Sequence, residues 1–336
     1  MKKYFGLPVL ALLFTFCAPK DKWVRNVTKG GALGTTYAIT YLSQEEMDLS
    51  KEIDSVFMVI NKSMSTYKSD SDISKINLSN DSTLVVDHMF RDVFVLSKQV
   101  YEATDGAFDP TVGVLANAWG FGPGEQLKMD SIRVDSLKNY VGFDKVTLNE
   151  DGTISKQING IAFDFNSIAK GYTIDRLGVV LDNHGIANYL IEVGGEVLAK
   201  GNNKLTHRNW AIGIDDPQSL EQRVIKKAVY LRNKAMASSG NYRKFWIDEK
   251  TGEKYVHTLD PKTGYPKNSA ILATSVLAKD CATADAFATA FMVMQLEKTK
   301  AFLKSSELDA YIIYLDENGI TQEFMTAGFE KAVIDK

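Results

Sequence analysis

The chain has 336 residues, 45% of them hydrophobic, which is ample for one large domain or two closely joined ones. Its net charge of −3, with no basic run or face, excludes nucleic acid as an expected partner. After the first residues no apolar run approaches the length needed to cross a membrane.

The N-terminus bears on the compartment. Lys2 and Lys3 precede an apolar run from Tyr4 to Phe16, too short for a spanning helix and suited to a signal-peptide core. The run stops at Cys17, followed by Ala-Pro-Lys-Asp-Lys, which suggests a bacterial lipoprotein signal cut before Cys17 and lipidated on it. Phe16 stands where a small residue is usual, so a plain secretory signal is the alternative. The expected organisation is a signal peptide over residues 1–16, a lipidated tether over 17–30 and one folded domain over 31–336. With Cys17 modified, Cys281 is the sole free cysteine, no internal disulfide can form, and stability must come from the core.

Along the folded part, Thr35–Leu42 predicts a strand. Residues 51–62 predict a helix with Ile53, Val56, Phe57 and Ile60 on one face. Asp87 can cap a helix running through Val100. Val146–Ile158 resembles a hairpin turning at Asp151-Gly152. Strands are expected at 160–166, 188–200, 209–214 and 227–232, and a second hairpin through Phe245–His257 with a turn near Lys250-Thr-Gly-Glu. A helix at Thr283–Leu296 precedes a final strand near Tyr311–Leu315. Strands and helices alternate without strict βαβ order, which favours an α+β fold of mixed β-sheets with packed helices over a doubly wound sheet.

Three segments carry chemistry-bearing residues. In Asp164-Phe-Asn-Ser-Ile-Ala-Lys-Gly171 an apolar strand runs into a helix start, bringing a carboxylate, a hydroxyl, a lysine and a glycine together. Helix N-termini present unpaired N–H groups and partial positive charge, which suit phosphate. The segment is neither a dinucleotide fingerprint nor a P-loop, and an ordinary strand–helix junction is the plain alternative. In Cys281–Phe291, Asp285 and Thr289 lie four apart on one helical face, a pair of hard oxygen donors fit for Mg²⁺ rather than zinc. The plain alternative there is a small-residue helix packed closely on a sheet. In His257-Thr-Leu-Asp-Pro-Lys-Thr-Gly-Tyr-Pro266, a histidine at a strand end, beside Asp260, is a candidate general base or a structural residue. Ser238-Ser-Gly-Asn-Tyr lacks the nucleophile elbow, and no His/Cys cluster has zinc spacing. Gly194-Gly195 and Trp119-Gly-Phe-Gly-Pro123 are turns or places where a ligand approaches backbone.

Taken in order, Gly34-Thr-Thr-Tyr37, Met64-Ser-Thr-Tyr67, Gly106–Gly113, Trp119–Pro123, Asp164–Gly171, Gly194-Gly195, Ser239-Gly-Asn-Tyr242, His257–Gly264 and Ala284–Thr289 resemble the ApbE family, the FAD:protein FMN transferases. The match runs over nearly the whole chain after the leader. The resemblance implies an ApbE-like, T-fold-like architecture and an enzyme that splits FAD at its pyrophosphate, releases AMP and links FMN to a Thr or Ser hydroxyl of a partner protein. It implies Mg²⁺, with Mn²⁺ also suited, held by Asp285, Thr289 and an oxygen of Ser167. FAD would contact Leu33, Tyr67, Ala107, Phe108, Asp109, Asp164, Lys170 and Leu259, and His257 would activate the acceptor hydroxyl. Acceptors in the family are subunits of respiratory redox pumps and related flavoproteins, which implies a lipoprotein anchored in the inner membrane and facing the periplasm. Three positions depart from the family pattern: Leu33 where Met is frequent, Asn166-Ser167 in place of a small Gly/Ala pair, and Val114 where proline is frequent. Two alternatives stand beside transfer: an Mg²⁺-dependent FAD pyrophosphatase giving FMN and AMP, and a lipoprotein that only holds flavin.

Overall fold

Alternation with a period of two is clearest in Thr35–Ser43, where Tyr37, Ile39 and Tyr41 are buried on one side and Leu42 on the other. The computed structural model, which describes residues 22–79, 83–219, 224–241, 245–247, 252, 254–267 and 269–334, builds this alternation into one large sheet. Its eight strands lie side by side in chain order. They are β1 (Val24–Ala32), β2 (Thr35–Ser43), β3 (Tyr189–Val193), β4 (Glu196–Lys200), β5 (Lys234–Gly240), β6 (Ile271–Ala278), β7 (Asp309–Leu315) and β8 (Thr321–Met325). Every neighbouring pair is antiparallel, so the sheet is a meander with insertions. The longest insertion, between β2 and β3, carries helices α1 (Ser50–Met64), α2 (His88–Ala103) and α3 (Ala169–Asn183) and a small sheet of Thr83–Val85, Thr153–Lys156 and Val146–Leu148. Helix α4 (Cys281–Val293) connects β6 to β7. The α+β class expected from the sequence is the observed one.

Both faces of the sheet are covered. On one, Ile39, Ile191 and Ala235 pack with Phe57 of α1 and with Ile174 and Leu177 of α3. Beside them Val276 and Ile312 pack with Ala284, Ala288 and Phe291 of α4. The alanines of α4 let it lie close on the strands, and Thr274 Oγ1 donates to Ala288 O at 2.8 Å. On the other face, Val197, Met236, Leu277 and Ile313 are roofed by a hairpin of Trp210–Asp215 and Ile225–Leu231.

Several elements match the expectation closely. Asp87 caps α2, accepting from Phe90 N–H at 2.8 Å. Val146–Leu148 and Thr153–Lys156 pair across the turn that contains Asp151-Gly152. Residues 188–200 resolve into the hairpin β3–β4 around Gly194-Gly195. Phe245–Ile247 pairs with Lys254–Val256, while the intervening turn at Lys250-Thr-Gly-Glu lies outside the described residues apart from Gly252.

Others need correction. Residues 160–166 are not a ladder strand. Asn77 brackets Phe163 with both ends of its side-chain amide, at 2.7 and 2.8 Å, Asp164 N–H donates to Pro110 O, and only Val112 and Ala162 form a bridge. A side chain and a loop replace the neighbouring strand that the apolar alternation implied. The helix expected over Thr283–Leu296 stops at Val293; Met294 is extended and a second helix, Leu296–Ser305, follows. Tyr311–Leu315 is not the last strand, since β8 pairs beyond it. Residues 24–30, expected within the tether, belong to β1, whose only buried residue is Asn26. Pairing with β2 rather than burial holds that polar edge strand, which is why its composition resembles a linker. The signal segment and Cys17 lie outside the described residues. No helix among the described residues is long and apolar enough to cross a membrane.

The N-termini of α3 and α4 meet at their closest point. A Cβ on Gly171 would lie 2.3 Å from Cys281 O and 2.7 Å from Ala282 Cα, both backbone atoms. Each helix also caps the other. Asp175 of α3 accepts from the N–H groups of Cys281 (2.8 Å) and Ala282 (2.9 Å), and Asp285 of α4 accepts from Gly171 N–H at 3.1 Å. Gly171→Ala is therefore expected to lower unfolding stability by about 1–3 kcal/mol, as overpacking does, in chemical denaturation. An unchanged midpoint would contradict the close approach.

Candidate functional site

Two hairpin tips project from the same end of the sheet. Leu33-Gly34 joins β1 to β2 and Gly194-Gly195 joins β3 to β4, and Gly194 N–H donates to Thr36 O at 3.0 Å. Gly194 and Gly195 have φ of +63° and +98°, and Leu33 has φ +52°, left-handed conformations that tight two-residue hairpins require. Leu33 meets that requirement without being glycine, a strained position at a cavity edge.

The cavity there measures about 910 Å³, at the upper end of ordinary small-molecule sites and large enough for a dinucleotide. Every described residue that the sequence marked as a candidate lines it. Leu33 is on the first hairpin tip, and Tyr67, 63% exposed, is in the loop after α1. Ala107, Phe108 and Asp109 follow α2; Asp164, Ser167 and Lys170 lead into α3. His257 and Leu259 lie on a strap between β5 and β6, and Asp285 and Thr289 come from α4.

Charge is concentrated on the floor. Lys170 Nζ bonds Glu196 Oε1, and Glu196 and Asp285 are both buried, each 3% exposed. Burial raises both carboxyl pKa values above the ordinary range; the Asp285 charge adds to the rise at Glu196, the hydrogen bonds from Gly171 N–H and with Glu196 lower Asp285, and Lys170 opposes the rise at both. Burial works against the Lys170 ammonium, but the Glu196 and Asp285 carboxylates outweigh it and hold its pKa above the usual lysine value. Glu196 is the site residue that the sequence reading missed. A signal was present: it is a carboxylate directly after Gly194-Gly195 in an alternating apolar stretch, at the same inward parity as Leu198. The free thiol of Cys281 is buried, which pushes its pKa up and makes it inert.

The helix start offers fewer free donors than a bare N-terminus. Ala169 N–H goes to Phe165 O and Gly171 N–H to Asp285, while Asp164 Oδ1 accepts from Asn166 N–H at 2.7 Å and shapes the turn. Lys170, rather than a nest of N–H groups, is the cation that this junction presents to the cavity.

The walls are tied to one another. Gly113 N–H donates to Ala162 O at 3.0 Å, fastening the loop after α2 to the approach to α3. Asp109 holds that loop closed. Its carboxylate accepts from Thr111 N–H (2.8 Å), Thr111 Oγ1 (2.6 Å) and Phe143 N–H (3.1 Å). Trp119 Nε1 donates to Gly264 O at 2.9 Å and Lys262 pairs with Asp105 at 2.6 Å, anchoring the strap that bears His257. Asp260 accepts from Lys262 and Thr263 N–H groups and pairs with Lys267 at 3.2 Å, so it builds the turn of the strap. The His257 ring stands edge-on to Phe121, with centroids 6.5 Å apart.

The donors suit a hard cation. Asp285 contributes a carboxylate, Thr289 a hydroxyl lying 3.3 Å from Ser239 Oγ, and Ser167 a hydroxyl and a carbonyl. Among the described residues no group of three or more His, Cys, Asp and Glu side chains could hold a metal. A zinc-type cluster is therefore not what these residues build, and a mixed oxygen set for Mg²⁺ or Mn²⁺ fits them.

The model of the ApbE family matches residues 33–312. The chain is 32% identical to an FAD:protein FMN transferase of Haemophilus influenzae over 340 residues, covering 97% of each protein. It is 35% identical to an FAD:protein FMN transferase of Vibrio cholerae serotype O1 over 319 residues, covering 90% of each. Among solved structures it is similar to the flavin transferase ApbE from Vibrio cholerae, with TM-score 0.83, 32% identity and coverage of 93% of this chain and 100% of that one. A crystal structure of an ApbE protein from Thermotoga maritima gives TM-score 0.82 at 28% identity, covering 93% of this chain and 100% of that one.

Burial raises the Asp109 pKa from 3.8 to about 6 against the lowering effect of its three donors. A carboxyl whose folded pKa is raised binds more protons folded than unfolded, so its contribution is full below about 4 and is lost as pH rises through about 6. The stability of the wild type relative to Asp109→Asn should therefore fall by up to about 3 kcal/mol between pH 4 and pH 7. Denaturant titrations at both pH values test this, and a constant difference would refute it.

Proposed function

The chain belongs to the ApbE family, and on that premise we propose that it transfers the FMN part of FAD to a Thr or Ser hydroxyl of a target protein and releases AMP. The observation that carries the reading is the joint placement of Lys170, Asp285, Thr289 and His257 around one dinucleotide-sized cavity. A protein that only held flavin would need neither the hard-donor pair nor a base.

FAD lies with its pyrophosphate toward Lys170, whose ammonium, kept charged by Glu196 and Asp285, attracts the phosphates. Asp285, Thr289 and an oxygen of Ser167 would hold Mg²⁺ or Mn²⁺. When bound, that cation supplies charge neutralisation at the pyrophosphate. The acceptor hydroxyl is a poor nucleophile at neutral pH, and His257 on the strap takes its proton as the oxygen bonds to the FMN phosphorus. The phosphorus–oxygen bond to AMP breaks in the same displacement, and AMP leaves with the electron pair. Tyr67, exposed at the rim, is placed to stack on a ring of the substrate. Acceptors are flavoprotein subunits of respiratory redox pumps, and lipidation of Cys17 keeps the enzyme on the periplasmic face of the inner membrane beside them.

Incubation with FAD, Mg²⁺ and a candidate acceptor should add an FMN-sized mass to the acceptor. FMN and AMP without labelled acceptor would favour hydrolysis, and a persistent FAD complex with no AMP would favour flavin storage. His257→Ala should slow transfer by about 10²–10⁴-fold while FAD still binds; undiminished transfer would remove it as the base. Cys17→Ser should shift the protein from the membrane to the soluble fraction, and unchanged membrane retention would overturn the lipid anchor.

A further inference from the structure

Glu196 opens β4 immediately after the Gly194-Gly195 tip, and its side chain turns toward the helices. Its two oxygens are treated differently. Oε1 receives Lys170 Nζ, while Oε2 is shielded from solvent and has no hydrogen-bond partner. An orphaned buried carboxylate oxygen is costly and calls for a donor or a cation. The group that faces Glu196 is the other buried carboxylate, Asp285, whose Oδ2 accepts from Gly171 N–H. Two ionised carboxylates have only acceptor oxygens, so this pair bonds across the gap only by holding a proton between them, and a cation is what satisfies both once they are ionised.

Charge counting leads to the same place. With both carboxyls ionised, Asp285 and Glu196 bring two negative charges into a buried volume, and Lys170 supplies one positive charge. A net negative charge remains where water is excluded, an arrangement that a divalent cation stabilises. With that cation the cluster becomes net positive, the sign that a pyrophosphate needs. Thr289, one turn along α4 from Asp285, lines the same space.

We infer that Glu196 is a further ligand, through Oε2, of the divalent cation that Asp285 and Thr289 hold, its other oxygen meanwhile tethering Lys170. The inference rests on the cation reading of the site, and it extends that site to a third strand–helix element. It links the metal and the phosphate-binding lysine through one carboxylate, so that loading the cation also sets the position of Lys170.

The test is Mn²⁺ binding to the whole chain without FAD, read by the free-ion electron paramagnetic resonance signal. Glu196→Gln should weaken Mn²⁺ binding on the order of ten- to a hundred-fold, and wild-type affinity in that variant overturns the proposal. Glu196 could instead act only by screening the Lys170 charge. In that case the double variant Glu196→Gln/Lys170→Met regains wild-type affinity, which also overturns the proposal; a ligand role keeps the double variant weak. Asp285→Asn separates the two levels. If it too binds Mn²⁺ like the wild type, the cation site itself is wrong; if it alone is weak, only the role of Glu196 fails. Should Glu196→Gln not fold, Glu196→Asp withdraws the oxygen by one methylene, and wild-type Mn²⁺ affinity there is equally decisive against the proposal.

Discussion

The reciprocal capping of α3 and α4 is the constraint on which the site depends. Asp175 joins Asp280 in closing the start of α4, and Asp285 closes the start of α3, so each helix supplies an acceptor to the first N–H groups of the other. Ile168, at the N-cap of α3, has no side-chain cap of its own. The helices approach until only glycine fits at 171. Lys170, one residue earlier, is thereby fixed beside Asp285, and the ammonium and the buried carboxylates of Glu196 and Asp285 fall within one small volume. Burial pushes the Asp175 pKa up to about 7 even with two N–H donors on it, a measure of how thoroughly this junction excludes water.

A second constraint comes from the meander. Because the eight strands follow chain order, the β1–β2 and β3–β4 turns emerge at the same end, and the insertions are brought over it. Rigid sheet backbone therefore carries Glu196 and the hairpin tips, and packed helices carry Lys170, Asp285 and Thr289. His257 is held differently. It stands on a strap fixed by Trp119 to Gly264 and by Lys262 to Asp105, contacts that come from loops. The charged floor is thus part of the core, while the strap that bears His257 belongs to the surface layer.

Legibility in the sequence followed the physics of each signal. Local signals transferred well: the Asp87 cap, the apolar face of α1 and the turn at Asp151-Gly152 each depend on residues within a few positions. The described candidate residues, drawn together in the sequence by the family resemblance, all line one cavity, although for Asp285 and Thr289 alone a closely packed small-residue helix was an equally natural reading. What failed depended on distant partners. The apolar alternation in 160–166 is real, yet Asn77 and Pro110 take the place of a neighbouring strand. β5, near the centre of the sheet, is rich in Ala and Ser and gave no strong strand pattern, since its small side chains serve the close seat of α4. Glu196 stayed hidden because an inward carboxylate makes sense only once Lys170 and Asp285 are seen beside it.

Asp164 and Asp109 show why a matched motif is not yet a role. Both line the cavity, and both also hold backbone: Asp164 turns the chain into α3, and Asp109 closes the loop that carries Ala107 and Phe108. A carboxylate that accepts three internal donors and sits largely protonated at mildly acid pH is poorly suited to pull on a ligand hydroxyl. Its contribution to the cavity is then geometric. It sets the shape of one cavity wall, while Lys170 supplies the positive charge on the floor. The enzyme separates the residues that shape the cavity from those that charge it, and only the second group shares a common electrostatic balance.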